Sequence, residues 1–379
     1  MTDEFYFSCK GLTVGYNKKP LISDISVGIK RGEILALIGP NGAGKSTILK
    51  SISKQLSLIS GSVFIGGDEL SDLSPKGLAA RLAVVLTDRV CPELMTVGEL
   101  VASGRYPYTN AFGKLTEDDR RIVRESLEQV HALELYDREI STLSDGQRQR
   151  VMLARALCQQ PEIIVLDEPV SFLDIKHKTE LLETLHEMSK SKGITIVLSL
   201  HEIDLAAKIS DKIMCVRGEH ILKIGTPEEI FVGNTVSELY EIELGKYNPL
   251  FGSSELFLPT SGDPKVFVIG GNGSGIIFYR LLRRLGISFY AGILFENDID
   301  FQIASVLAKK TVSCSAFSKP DEQTIRLAED CMEGCEYVID CGCEIGEINK
   351  ANETLLKNAE EKGKTILREL SEVERLSGK

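Results

Sequence analysis

Gly39-Pro40-Asn41-Gly42-Ala43-Gly44-Lys45-Ser46-Thr47 is the stretch on which the reading of this chain turns. Before it, Glu33-Ile34-Leu35-Ala36-Leu37-Ile38 has the apolar character of a buried strand; after it, Ile48-Leu49-Lys50-Ser51-Ile52 opens a helix. Strand, glycine-rich loop and helix form the context of a phosphate-binding loop. A triphosphate needs many donors at close range, and backbone without Cβ atoms can wrap around it. Gly39, Gly42 and Gly44 give that freedom. The amides of Gly44, Lys45 and Ser46 fall at the helix N-terminus, where unpaired N–H groups and the macrodipole favour anions. Lys45 adds a point charge for the β- and γ-phosphates, the Ser46 hydroxyl is placed to hold Mg²⁺, and Thr47 bonds nearby phosphate.

Outward from the loop, Phe5 to Tyr16 and Leu21 to Ile29 alternate polar and apolar residues and read as strands; Leu82 to Leu86 is a further apolar one. Residues 92 to 160 are dominated by helical periods, over Thr96 to Ser103, Thr116 to Leu133 and Asp145 to Gln159. Thr116, followed by three acidic residues, is placed as an N-cap. This stretch interrupts a strand–helix alternation, as an inserted helical subdomain would. The alternation resumes with the strand Ile163 to Leu166, a helix from Ile175 to Ser191 and the strand Thr195 to Leu200. A first domain is expected over 1–250. Gly, Ser and Pro crowd residues 251–264, which read as a linker. Strands and helices then alternate again over 265–379, a small parallel-sheet domain of Rossmann-like order.

The 379 residues allow two domains, and 43% hydrophobic with 26% charged residues is an ordinary globular balance. A net charge of −11 excludes a global basic field for nucleic acid or an anionic membrane surface. No stretch approaches the ~20 apolar residues that span a bilayer. The acidic start, Met1-Thr2-Asp3-Glu4, is unlike a secretory signal, so a cytoplasmic protein is expected. The nine cysteines are then free thiols. Cys331, Cys335, Cys341 and Cys343 lie close in sequence, but not at zinc-ribbon spacing, and read as ordinary thiols.

Two more constellations carry chemistry. Ile163-Ile164-Val165-Leu166-Asp167-Glu168 places two acids at the tip of a buried strand, where ligands bind in open α/β sheets. There Asp167 would anchor the Mg²⁺ hydration shell and Glu168 would polarise an attacking water. Leu143-Ser144-Asp145-Gly146-Gln147 opens a helix with a hydroxyl and a glycine amide, a second anion-facing end. If the two ends cannot converge within one chain, the second serves another copy.

With these residues in place, 5–250 resembles the ATPase subunits of ABC transporters. Gly39 to Thr47 matches the Walker A motif, Asp167 and Glu168 end the Walker B, and Leu143 to Gln147 matches the signature. Ser171-Phe172-Leu173-Asp174 resembles the D-loop, His201 the switch histidine, and Tyr16 the aromatic that stacks on adenine. The resemblance implies an α/β fold: a P-loop ABC-type nucleotide-binding domain with an antiparallel β-subdomain and an inserted helical subdomain, followed by the C-terminal domain. It implies ATP and Mg²⁺ as cofactors and a head-to-tail homodimer. ATP at Gly39–Thr47 of one copy would lie against Ser144, Gly146 and Gln147 of the other. Glu168 would be the general base, His201 would contact the γ-phosphate, and Asp174 would link the two sites. Two positions depart from the family. Thr87 and Asp88 stand where a Mg²⁺-contacting glutamine is usual, and either offers an oxygen ligand. Asp145 replaces the commoner glycine, and its carboxylate is expected to point away from phosphate.

Val97-Gly98-Glu99-Leu100-Val101-Ala102-Ser103-Gly104-Arg105-Tyr106-Pro107-Tyr108 resembles the iron-siderophore, haem and cobalamin importers of that family. This implies an ATPase peripheral on the inner face of the membrane. It would work with permease subunits and, indirectly, with a periplasmic or surface binding protein, and not with nucleic acid. Arg105, Tyr106 and Tyr108 are expected as an exposed surface for the permease. In the C-terminal domain, Gly270-Gly271-Asn272-Gly273-Ser274-Gly275 lacks both the Walker lysine and the dinucleotide spacing; it is either a packing turn or a small-ligand site. Rival readings are a soluble non-transport ABC ATPase with a ligand-sensing or effector tail, and an NAD-dependent enzyme. The first calls for two cassettes or a long coiled coil, the second for another catalytic constellation, and the sequence has none of these.

Overall fold

The computed structural model describes residues 4–86, 94–109, 113–171, 173–242, 245–248, 252–256 and 260–377. The chain divides into two compact units, Met1–Glu241 and Ile242–Lys379. The division falls before the boundary expected at 250, and the expected linker is not one. It contains the strand Ser253–Leu256, paired antiparallel with Gly245–Asn248, and the first residues of the strand Ser261–Ile269. Gly252 is a turn residue, but Ser253, Ser254, Ser261, Gly262 and Pro264 lie in strands, so the composition of a linker also serves a two-stranded ribbon. Burial of Tyr247 and an ion pair between buried Glu255 and Arg280 tie that ribbon to the second unit.

In the first unit, the central sheet runs in the order His220–Gly225, Lys212–Arg217, Ile34–Ile38, Thr195–Ser199, Ile163–Leu166, Leu82–Val85. All neighbours are parallel except the first pair. The central strands Ile34–Ile38, Thr195–Ser199 and Ile163–Leu166 are buried on both faces, which is why they read as nearly continuous apolar runs. Alternation still sorts their side chains. Ile34, Ala36 and Ile38 join one core with Ile164, Leu166, Ile196 and Leu198. Leu35 and Leu37 join the other with Val165 and Val197. The first core is closed by the inserted helices, including Val101, Leu127 and Leu157. The second is closed by the helix Lys45–Ile52 and by an antiparallel sheet ordered Lys19–Ile29, Phe7–Tyr16, Ser60–Ile65, Asp68–Glu69.

The inserted helices are Val97–Ala102, Glu117–Gln129 and Asp145–Cys158. Each starts with a capping box, from Thr96 with Glu99, Thr116 with Asp119, and Ser144 with Gln147, so first-turn amides are satisfied locally. Arg105 departs from expectation. It is buried, at 5% exposure, where a docking surface was anticipated. Its Nε donates to Asp119 Oδ1 at 2.8 Å and its Nη1 to the Cys158 carbonyl and Gln160 Oε1, both at 2.9 Å. A carboxylate three residues into the neighbouring helix captured the guanidinium. Tyr106 remains exposed, and Tyr108 stacks on Arg105 and donates to the Gln159 carbonyl.

The second unit holds a parallel sheet ordered Lys310–Cys314, Ile287–Phe295, Ser261–Ile269, Tyr337–Asp340, Thr365–Leu367. In chain order this is 3-2-1-4-5, so the winding reverses after the third strand. The helices follow the reversal. Ile276–Arg284 and Ile299–Leu307 pack on one face with Val266 and Val268; Glu322–Glu333 and Lys350–Glu361 pack on the other with Phe267 and Ile269.

Candidate active site

Three neighbouring strands of the first unit deliver the chemistry from their carboxyl ends. Ile34–Ile38 leads into the glycine-rich loop, Ile163–Leu166 into Asp167 and Glu168, and Thr195–Ser199 into Leu200 and His201. The ends converge on a cleft of about 450 Å³ lined by Tyr16, Leu21, Asn41, Gly42, Gly44, Lys45, Ser46, Thr47, Glu168 and His201. Gly39, Pro40 and Ala43 complete the loop, with Ala43 buried beneath it. Gly42 and Gly44 have φ of +77° and +100°, backbone that L side chains rarely adopt. A Cβ on Gly39 would lie 2.0 Å from the Val216 carbonyl oxygen.

Lys45 is buried, and its Nζ donates to the carbonyls of Gly39 at 2.8 Å and Pro40 at 3.0 Å. Burial lowers its pKa, and the nearby Glu168 and Asp167 charges oppose that. Tyr16 is half exposed, and its hydroxyl lies 3.3 Å from Thr47 Oγ1, so its ring stands at the edge of the cleft.

The acids are organised by a residue not singled out from the sequence. Ser199 Oγ donates to Asp167 Oδ1 at 2.7 Å and accepts from the Glu168 amide at 2.8 Å. Glu168 adopts φ +50°, which turns the chain sharply after the buried strand. Its Oε1 lies 2.5 Å from His201 Nε2, and its Oε2 accepts from Ser171 Oγ at 3.2 Å. A carboxylate held between a histidine and a hydroxyl at the mouth of a phosphate cleft can take a proton from water. The signal for Ser199 was present but quiet: a hydroxyl directly after the apolar run Ile196-Val197-Leu198, two residues before His201.

The donors around the loop suit a hard cation. Ser46 and the buried Asp167 offer oxygen, and Mg²⁺ commonly takes one or two protein oxygens and completes its shell with water and phosphate. Thr87 and Asp88 lie outside the described residues. Among those described, no group of three or more His, Cys, Asp or Glu side chains is placed to hold a metal.

Ser144, Gly146 and Gln147 do not line the cleft. Ser144 is exposed, its hydroxyl accepting from the Gln147 amide at 3.3 Å and so keeping its own proton to donate. Asp145 is also exposed. Asp174 is exposed too and caps the helix Ile175–Lys192 through the His177 amide at 3.0 Å, with His177 Nδ1 on its other oxygen at 2.8 Å. Leu173 and the His177 ring lie against Gly146.

In the second unit, the glycine-rich loop is already filled by its own acids. The Gly275 amide donates to Asp300 Oδ2 at 3.0 Å, and the Asn272 amide donates to Asp298 at 2.9 Å. Asp300 is fully buried, and burial raises its pKa. A Cβ on Gly275 would lie 2.4 Å from the buried Tyr279 ring. These contacts favour the packing reading of the loop over an anion site.

The profile of the ABC transporter family matches residues 22–171, and that of the MJ0874 family matches residues 289–375. The chain is 44% identical over 280 residues to "Uncharacterized ABC transporter ATP-binding protein MJ0873" of Methanocaldococcus jannaschii, covering 73% of this chain and 97% of the relative. It is 36% identical over 236 residues to the iron(3+)-hydroxamate import ATP-binding protein FhuC of Bacillus subtilis, covering 62% and 88%. It is 30% identical over 320 residues to the cobalamin import ATP-binding protein BtuD of Halobacterium salinarum, covering 83% and 80%. Among solved structures, the dimeric ABC transporter cassette MJ0796 superposes with a TM-score of 0.53 at 26% identity, covering 58% of this chain and 98% of that one.

Proposed function

The chain belongs to the ABC transporter ATP-binding proteins, and from that premise we propose that it powers import of a chelate of the iron-siderophore, haem or cobalamin type through a separate permease. It is an ATPase of that family. The carrying observation is the incompleteness of the cleft: it gathers the phosphate loop, Glu168 and His201, while Ser144, Gly146 and Asp174 stand outside it. A second copy, docked head to tail, supplies the missing donors. Tyr16 stacks on adenine, Gly39–Thr47 cradles the phosphates, and Ser46 and Asp167, with Thr87 or Asp88, hold Mg²⁺. Glu168 takes a proton from water as the water attacks the γ-phosphorus and ADP leaves, with His201 on the γ-phosphate and Asp174 joining the two sites. Closure of the dimer is the working stroke.

The cargo reading is supported by the named roles of two relatives, in iron(3+)-hydroxamate and cobalamin import. Among the described residues no helix is long and apolar enough to cross a membrane, which accords with a cytoplasmic subunit on the inner face of the membrane. It would meet a binding protein only through the permease. The second unit serves as a regulatory module, and its acid-filled loop is not a phosphate site.

The test pairs two variants. Glu168→Gln should bind ATP, stop turning over and accumulate as a dimer in size-exclusion chromatography with Mg·ATP; adding Ser144→Ala should dissolve that dimer. A wild-type protein that hydrolyses ATP at full rate as a monomer, indifferent to Ser144→Ala, would overturn the reading. Co-purified permease, assayed with siderophore, haem and cobalamin, decides the cargo.

A further inference from the structure

The chain leaves the first unit through the short helix Thr235–Leu239 and the residue that caps it, Tyr240. The Tyr240 hydroxyl accepts a hydrogen bond from the Gly39 amide at 3.2 Å. Gly39 begins the phosphate loop, and it is held on its other sides as well. Its carbonyl accepts from Lys45 Nζ at 2.8 Å, and the Val216 carbonyl oxygen occupies the space a Cβ on it would need. The residue after Val216, Arg217, pairs with Glu238 at 3.4 Å and Glu241 at 2.9 Å, on either side of Tyr240. The Tyr240 ring packs against the core beneath. The exit segment is therefore fastened at once to the end of the strand Lys212–Arg217 and to the first residue of the loop.

We propose that Tyr240 is a positioning residue for the phosphate loop, and that the segment Glu238–Glu241 couples the second unit to nucleotide binding. The proposal rests on the reading of Gly39–Thr47 as the nucleotide loop. A triphosphate competes with the Gly39 and Pro40 carbonyls for Lys45. As Lys45 turns to phosphate, the Gly39 peptide loses one anchor and depends on Tyr240 for the other. Any displacement of the chain from Ile242 onward acts first on the residues that hold that anchor. Because binding couplings are reciprocal, nucleotide must then also be felt at the start of the second unit.

Tyr240→Phe deletes the hydroxyl and keeps the ring in the core. In the full-length protein, the Kd for a fluorescent ATP analogue with Mg²⁺ should rise about two- to tenfold, the range of one hydrogen bond, while kcat changes less than about twofold. Amide hydrogen exchange supplies the second readout. Nucleotide should alter exchange over residues 242–256 in the wild type and do so less in Tyr240→Phe. Equal affinity and an equal exchange response in both proteins would overturn the proposal. A changed affinity with an unchanged exchange response would remove the coupling and leave only the positioning role. Lys45→Ala is the control for the underlying reading: were it to bind nucleotide like the wild type, the loop assignment would fail, whatever Tyr240 does.

Discussion

Replacing Arg105 by methionine tests whether this residue supports the helical subdomain or faces a partner. Arg105 is 5% exposed and its acceptor Asp119 6% exposed, so the pair lies inside the fold. Removing one member of a buried pair costs about 3–5 kcal/mol, because the survivor keeps its charge without its partner. Two features place the cost near the lower end. Asp119 still accepts from the Thr116 amide at 2.9 Å and the Thr116 hydroxyl at 2.7 Å. Methionine also refills much of the apolar space of the arginine stem. Against that, the Cys158 carbonyl and Gln160 Oε1 lose a donor, at about 1 kcal/mol each. A net loss of about 5 kcal/mol follows, and at about 2–4 °C per kcal/mol for a unit of this size the transition should fall by roughly 10–20 °C. Scanning calorimetry of the full-length protein without permease reads this directly. A variant that melts within about 2 °C of the wild type yet fails to capture the permease would refute the structural role and restore Arg105 to the docking surface.

Three further outcomes are expected. The Thr116 amide and hydroxyl, with Arg105, hold the Asp119 carboxyl at about 2, below its usual 3.8. A lowered carboxyl pKa stabilises the fold fully above the unfolded value and loses its effect as pH falls, so the stability gap between wild type and Asp119→Asn should shrink between pH 3.8 and about 2; a constant gap in acid titrations followed by circular dichroism would contradict it. Ser199→Ala removes the hydroxyl that joins Asp167 to the Glu168 amide and should lower kcat about tenfold, by roughly 1.4 kcal/mol, with little change in metal-free nucleotide affinity; unchanged steady-state turnover would count against Ser199 as an organiser. Gly275→Ala drives a methyl group into the Tyr279 ring and should destabilise the second unit by about 1–3 kcal/mol, so an unshifted melt would show that the loop has room for more than its own packing.

What was legible in the sequence was whatever short-range order writes down. Four apolar residues before Asp167, the glycines before Lys45 and the acids after Thr116 each announce a strand end, a loop or a cap within one turn of chain. The roles of Ser199 and Tyr240, and the carbonyl acceptor of Arg105, were hard to read, because each contact crosses at least thirty residues to a backbone group with no side-chain signature. Tyr240 meets the backbone amide of Gly39, Ser199 meets that of Glu168, and Arg105 meets the Cys158 carbonyl. Composition also misled at the unit boundary, since turn residues look alike in a free linker and in the ribbon of Gly245–Asn248 and Ser253–Leu256.

Three helix N-termini drew attention because each carries a glycine before or within its first turn, and the same field acts at all three. Their surroundings set them apart. The end at Lys45 opens on a cleft and carries its own cation, so an anion gains both amides and charge. The end at Ser144 is closed on itself by a capping box but stands exposed, with a hydroxyl proton left to donate, which suits an anion delivered by another molecule. At Gly275 the buried Asp300 carboxylate has taken the anion's place, so a phosphate would meet a negative charge. The helix dipole alone therefore cannot mark a nucleotide site. What marks one is whether the fold leaves the end open on a cleft, closes it with a cap, or fills it with an acid of its own, and in this chain that distinction separates a phosphate cleft from an exposed capped end and from a packing turn.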